Sequence, residues 1–243
     1  MTFNSEPMQV CLLRVGIDSG SGGILGPLFS DSTFEYIPIP EGRDKPGKTY
    51  GEIKGKKTKR PLWKFFPRLR QMDTVKTAVH HDPEFDTFTY GDPAKSKWGL
   101  RKLHTGDLLV FYAGLEPYGF KDDKKRGLYI IGYFDVKTAG ESTDFSDNDL
   151  HTLFSNNYHV KYRRDEKSLV LVKGTSRSRL LKRAQPISKV GLDIGGHKVY
   201  VLSDVAKKHL GSFTKLNAIQ RSTPRWVSPQ KTQKAAEWIR GFP

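Results

Sequence analysis

The chain has 243 residues, of which 36% are hydrophobic and 12% aromatic, so a sizeable core is available, and its formal net charge of +15 favours a polyanionic partner because clustered lysine and arginine gain free energy by displacing the counterions of phosphates. A single cysteine, Cys11, excludes an intramolecular disulfide and any cysteine-rich zinc or iron–sulfur site. An apolar run of roughly 18 or more residues is absent and the polar N-terminus lacks a signal-peptide pattern, so the expectation is a cytoplasmic protein with no membrane partner.

In chain order, residues 9–17 (QVCLLRVGI) read as a buried strand ended by Asp18 and a glycine cluster. Phe34 to Ile39 reads as a second strand, checked by Pro38 and Pro40, and 41–67 as a basic loop rich in Gly, Pro and Lys. Its run Lys54 to Arg60 (KGKKTKR) is either a solvated mobile loop or a phosphate contact, with Lys57 and Arg60 as the binding candidates. The pattern predicts a short helix over Leu69 to Val79, an irregular segment from His80 to Pro93, and strands at Leu108 to Tyr112 and Leu128 to Val136. Asp144 to Ser155 reads as a helix capped by Ser146. Further strands fall at Leu169 to Lys173 and Lys198 to Leu202, followed by helices from Ser203-Asp204 to Leu210 and from Gln230 to Ile239, the C-terminal helical segment lying within 204–243. Strand-rich order with a few short helices points to one α+β domain spanning the chain, rather than an alternating doubly wound sheet.

Several motifs carry chemistry. Asp18-Ser19-Gly20-Ser21-Gly22-Gly23 is either a plain turn or an anion nest of backbone amides, and it is neither a Walker loop nor a dinucleotide fingerprint. His80-His81-Asp82-Pro83-Glu84-Phe85 is the densest ionisable group. His80 or His81 with Asp82 supplies a side chain titrating near neutrality and a carboxylate to orient it, and adjacent histidines point in different directions, so one of the two is expected at a site, with His81 the candidate carried forward; the alternative is a surface loop whose Asp and Pro set turns. A metal set of His81, Asp82 and Asp86 lacks a helical His-x-x-x-His pair or a cysteine ligand, and neither a metal nor a cofactor is expected. Asn157 and His159 precede the basic run Lys161 to Arg164, of which Arg163 is the phosphate candidate. Thr175 to Arg183 offers Arg177 and Arg179, and Arg221, Arg225 and Trp226 combine guanidinium groups with a ring that stacks on bases or packs within the protein.

The stretch Lys102-Leu-His-Thr-Gly-Asp-Leu-Leu-Val-Phe-Tyr-Ala-Gly114, followed by Leu128-Tyr-Ile-Ile-Gly-Tyr-Phe-Asp-Val136, resembles the Gly-Asp strand and the succeeding Gly-aromatic strand of the PUA/EVE/ASCH-like barrels, which bind RNA or modified bases in DNA. That resemblance implies an α+β fold built on a PUA-like mixed β-barrel with several short peripheral helices, and makes Tyr112 and Tyr133, with Phe111, the wall of a base pocket. Arg14 to Phe29, Phe34 to Glu41, His81 to Phe85, the Gly-Asp strand, the Asn-x-x-His segment and Arg221 to Trp226 together resemble the third nucleotide-modification-associated domain family. The resemblance implies a role in making or handling modified nucleotides, and raises Asp18, His81, Asp82, Asn157 and His159 as site candidates.

Three functions compete. The first is a nucleic-acid binder, for DNA or RNA, that takes a modified or flipped base into a pocket. The second is an enzyme on the same substrate, hydrolysing a phosphodiester or altering a base, with His81, His159, Asp82 and Asp18 as its acid–base candidates. The third is an assembly protein whose charge is incidental.

Overall fold

The computed structural model describes residues 7–163, 168–213 and 219–243; Arg164, at the end of the basic run after His159, lies outside them. Twelve strands occur among the described residues: β1 (Val10–Arg14), β2 (Gly26–Leu28), β3 (Ile39–Gly42), β4 (Ala78–His80), β5 (Thr89–Asp92), β6 (Leu108–Pro117), β7 (Gly127–Glu141), β8 (Val170–Gly174), β9 (Arg179–Pro186), β10 (Ser188–Leu192), β11 (Lys198–Leu202) and β12 (Arg225–Trp226). Five α-helices accompany them: α1 (Arg68–Thr74), α2 (Asp147–Phe154), α3 (Tyr158–Tyr162), α4 (Asp204–Leu210) and α5 (Thr232–Arg240).

The main sheet has eight strands in the order β12-β1-β6-β7-β8-β5, with β2 along β6 and β9 along β7. β1 runs parallel to β6 while β7 is antiparallel to both β6 and β8, so the sheet is mixed and the α+β class holds. β7 is long enough to serve two regions. Its first part pairs with β6 and β9, its last part with β8, and register shifts fall between Ile130 and Gly132 and between Val136 and Thr138. Such bulges bend a strand and sharpen its twist. Among the described residues no ladder joins β5 to β12, so the sheet stays open. The barrel expected from the Gly-Asp strand is therefore corrected to a bent, open mixed sheet.

The Gly-Asp strand lies in the middle of that sheet. Leu108 to Tyr112 are all at 0% exposure, because β6 has β1 on one side and β7 on the other. Phe111 packs edge-on against Phe134 and Phe85, at centroid distances of 4.7 and 5.5 Å. The Tyr112 hydroxyl donates to the Ile219 carbonyl at 2.8 Å. Tyr133 is 1% exposed, with the Arg179 guanidinium 5.6 Å from its ring centroid. These rings hold the core and present no face to a ligand, contrary to the expected pocket wall. Asp107 itself ties the first two central strands together. Its carboxylate accepts the Gln9 and His104 N–H groups, each at 2.7 Å, and Gly106 supplies the positive φ of +93° that the turn requires.

Elsewhere local chemistry decides the boundaries. The Ser146 hydroxyl caps α2 and Asp149 completes a reciprocal capping box, and Ser203 caps α4. The helix expected up to Val79 ends at Thr74, and Ala78–His80 becomes β4 against β3, since Val75, Thr77 and Val79 are β-branched. The irregular segment expected after His80 contains β5. No helix among the described residues is long and apolar enough to cross a membrane.

Cys11 is at 0% exposure between β6 and β12, and burial pushes its thiol well above the usual range. The folded chain is expected to leave Cys11 unmodified by iodoacetamide, with one equivalent incorporated only after denaturation; rapid labelling of the native protein would contradict this packing.

Candidate functional site

Strand alternation explains how the histidine-rich segment divides. Successive side chains along an extended backbone point to opposite sides, so His80 and Asp82 share one side and His81 takes the other. Asp82 is therefore turned away from His81, contrary to the pairing expected from the sequence, and clusters instead with His159 and, within 4.8 Å, with His80.

On the inner side, α3 delivers His159. Asn157 caps this helix, its Oδ1 accepting the His159 and Val160 N–H groups at 3.1 and 3.3 Å, while its amide donates to Asp82 Oδ2 at 3.2 Å. Asp82 Oδ2 also accepts the Gly91 N–H at 2.8 Å. Gly91 is required there: a Cβ would lie 2.8 Å from Asn157 Oδ1. His159 Nε2 is 3.0 Å from His80 Nε2 and 3.8 Å from Asp82 Oδ2. His80 Nδ1 lies 3.1 Å from Glu41 Oε2, which β3 places next to β4, and Arg163 pairs with the other oxygen of Glu41. Burial pushes the Asp82 carboxyl well above the ordinary carboxylate range, with Asp92 adding to the effect, whereas the Gly91 and Asn157 donors act against it. Asp82 Oδ1 is buried and has no hydrogen-bond partner among the described residues.

On the outer side, His81 faces a cavity of about 540 Å3. Five lysines, Lys48, Lys54, Lys56, Lys59 and Lys161, line it against three carboxylates, Glu52, Glu84 and Asp86. Glu84 is committed to the Thr87 N–H and hydroxyl and the Asp86 N–H, and Asp86 pairs with Lys56, so positive charge dominates the opening. Tyr158, Tyr162 and Phe85 add aromatic surface. Tyr162 is the most open of these at 37% exposure. Burial pushes the His81 imidazole below its ordinary value, which favours the neutral form with one nitrogen able to accept a proton or hydrogen bond.

The basic loop is held in place rather than solvated throughout. Glu35 is 1% exposed and its carboxylate accepts the backbone N–H groups of Lys57 at 3.1 Å and Thr58 at 2.5 Å. The Arg60 carbonyl accepts the Gly55 N–H at 2.8 Å, closing the turn. Gly55 also faces the Glu35 carboxylate so closely that a Cβ there would collide with it. Lys54, Lys56 and Lys59 are consequently presented from a fixed backbone.

The other candidates disperse. The Asp18 carboxylate closes its own turn, accepting the Gly20 and Ser21 N–H groups at 2.8 and 2.7 Å and pairing with Arg14 at 3.2 Å. The Ser21 and Gly23 amides also return to the Asp18 carbonyl, so the anion-nest reading is corrected to a turn, with Ser19 exposed on it. Lys57 and Arg179 line a neighbouring depression of about 580 Å3 with Lys182, and Lys56 lines both cavities. Arg177 pairs with buried Asp135 at 2.9 Å, where Arg240 takes the second oxygen. Trp226 lines a separate cavity of about 810 Å3 with Arg101 and His104, while Arg225 is fixed by the β1–β12 ladder and Arg221 is exposed. The structure therefore brings Asp82, Asn157 and His159 together behind the cavity and His81 into it, and leaves Asp18 and the Arg221–Trp226 segment elsewhere.

Lys48, Tyr162 and Glu41 escaped the sequence reading, and His80 entered it only as the alternative to His81. His80 carried a usable signal, being two residues from Asp82 on an extended backbone. Glu41 carried none, since its position depends on pairing β3 with a strand some forty residues away.

A protein-family profile described as nucleotide modification associated domain 3 matches residues 9–240. No curated protein and no solved structure is matched.

Proposed function

We propose, from the premise that the chain belongs to the nucleotide modification associated domain 3 family, that it binds nucleic acid through the lysine-lined cavity and receives there a base withdrawn from its stack. The observation that carries this reading is the cavity itself, in which five lysines surround aromatic surface and a half-buried neutral imidazole. Its volume of about 540 Å3 suits a nucleotide-sized ligand. Lysines at the opening match phosphates, Tyr162 offers stacking surface, and His81 offers a hydrogen bond to a base edge, the combination by which unstacked bases are held. A modified base is the form that the family's association favours.

The test is fluorescence anisotropy of a labelled single-stranded oligonucleotide across a salt series. Engagement of all five lysines gives a log–log slope of about −3.5 at ~0.7 per phosphate contact. Binding that ignores salt would leave the lysines without this role. A second reading is favoured by His81, whose neutral imidazole at the cavity wall fits a general base in phosphodiester hydrolysis or base modification. His81→Ala separates the two: retained affinity with abolished turnover supports the enzyme, while a turnover unchanged by the substitution removes His81 from catalysis.

A further inference from the structure

We propose that His80, Asp82 and His159 form a binding site for one divalent first-row transition-metal ion of the zinc class, behind the wall of the cavity. One ligand atom from each of the three lies within 4.8 Å of the others. The shortest separation is 3.0 Å between the two Nε2 atoms, and His159 Nε2 to Asp82 Oδ2 is 3.8 Å. Zinc bonds of about 2.0–2.1 Å place tetrahedral ligands about 3.3–3.4 Å apart, so the two imidazole nitrogens at 3.0 Å need to part slightly and the Asp82 carboxylate needs to draw in. Two imidazoles and one carboxylate form a three-ligand set that leaves a coordination position open.

Three further observations point to a cation. The two Nε2 atoms converge to 3.0 Å, where one ring donates to the other when no ion is held and where both lone pairs can instead converge on one ion. The Glu41 carboxylate beside His80 Nδ1 is placed to take that N–H, which leaves the Nε2 lone pair directed at the cluster, as the outer carboxylate of a ligating histidine does. Asp82 Oδ2 is fixed by the Gly91 N–H and the Asn157 amide, while its buried Oδ1 lacks a partner among the described residues. The carboxylate thus keeps acceptor capacity that the described residues leave unused. The three ligands come from two segments, the stretch around β4 and helix α3, so an ion would fasten them together. Tyr158 stacks on His80 at 4.5 Å and also lines the cavity, which sets the ion one ring behind the proposed nucleotide site.

The full-length chain, stripped with a chelator, is titrated with Zn2+ by calorimetry and with Co2+ by visible absorption. One equivalent per chain is expected, with the Co2+ bands of a low-coordinate nitrogen and oxygen site. His80→Gln and His159→Gln each reduce affinity at least about a hundredfold, and Glu41→Gln, which leaves all three ligands, reduces it about 10–100-fold. His197→Gln, on the exposed turn beside Asp193, leaves it unchanged. X-ray absorption at the zinc edge of the wild-type complex needs no variant: two imidazoles are expected in the first shell. No stoichiometric uptake by the wild-type chain, a shell without imidazole, or binding that persists in the His80→Gln, His159→Gln double variant would overturn the site. The inference stands apart from nucleic-acid binding, since Lys54→Ala, Lys56→Ala, Lys59→Ala together should leave metal stoichiometry intact.

Discussion

Phe111→Ala is expected to cost about 3–5 kcal/mol of stability, the range for emptying the space of a fully buried aromatic, and to lower Tm by about 10 °C in a chain of this size. Phe111 is at 0% exposure and packs against Phe85, Tyr90 and Phe134, with centroid distances from 4.7 to 5.9 Å. The removed ring leaves a hole bounded by other rings that are themselves interlocked, so collapse recovers little of the lost contact. Because the same position is the expected pocket wall in a barrel, the experiment also separates two roles. Thermal melting should show the loss, and oligonucleotide affinity measured well below the transition should stay within about twofold. A loss under ~1 kcal/mol accompanied by failed binding would return Phe111 to the ligand.

Replacing Lys54, Lys56 and Lys59 together by Ala is expected to weaken oligonucleotide binding about a hundredfold at 0.1 M salt and to reduce the log–log slope from about −3.5 to about −1.4, as three of five phosphate contacts are removed. The three residues lie on one turn whose backbone is pinned by Glu35 and by the Gly55–Arg60 hydrogen bond, so the substitutions remove charge without removing the scaffold. Among the described residues Lys56 is paired with Asp86, and it contributes least on its own. Replacing Lys189 and Lys198, which sit on the β10–β11 ribbon and do not line the cavity, is expected to leave affinity unchanged. Equal losses in both sets would mean that overall charge, not the cavity, drives association.

The parts of the fold that were legible in the sequence are those where local pattern and tertiary placement agree. Val10–Arg14, Leu108–Tyr112 and Val170–Gly174 are short apolar runs that end in the sheet interior, and Ser146 and Ser203 cap helices where the hydroxyl precedes an apolar period. β9 was hidden because its exposed side carries Arg179, Lys182 and Arg183, so the stretch reads as a basic turn until β7 is seen beside it. α3, with five residues, is too short for a period and exists because Asn157 caps it and Asp82 holds Asn157. Barrel closure depends on whether outer strands meet, which no local pattern encodes. The site was partly legible for the same reasons. Asp82, Asn157 and His159 stood out as residue types, yet their grouping with His80 and Glu41 follows from strand alternation and a long-range ladder. Asp18 has the right chemistry for a site and spends it on its own turn.

The central claim, that nucleic acid enters the lysine-lined cavity, is tested most directly by photocrosslinking an oligonucleotide that carries 5-iodouracil and mapping the attached peptides by mass spectrometry. Crosslinks are predicted at Tyr162, the most open ring of the cavity, and their yield should fall with the Lys54, Lys56, Lys59 substitution. Crosslinks confined to Trp226, beside the separate cavity next to β12, would contradict it.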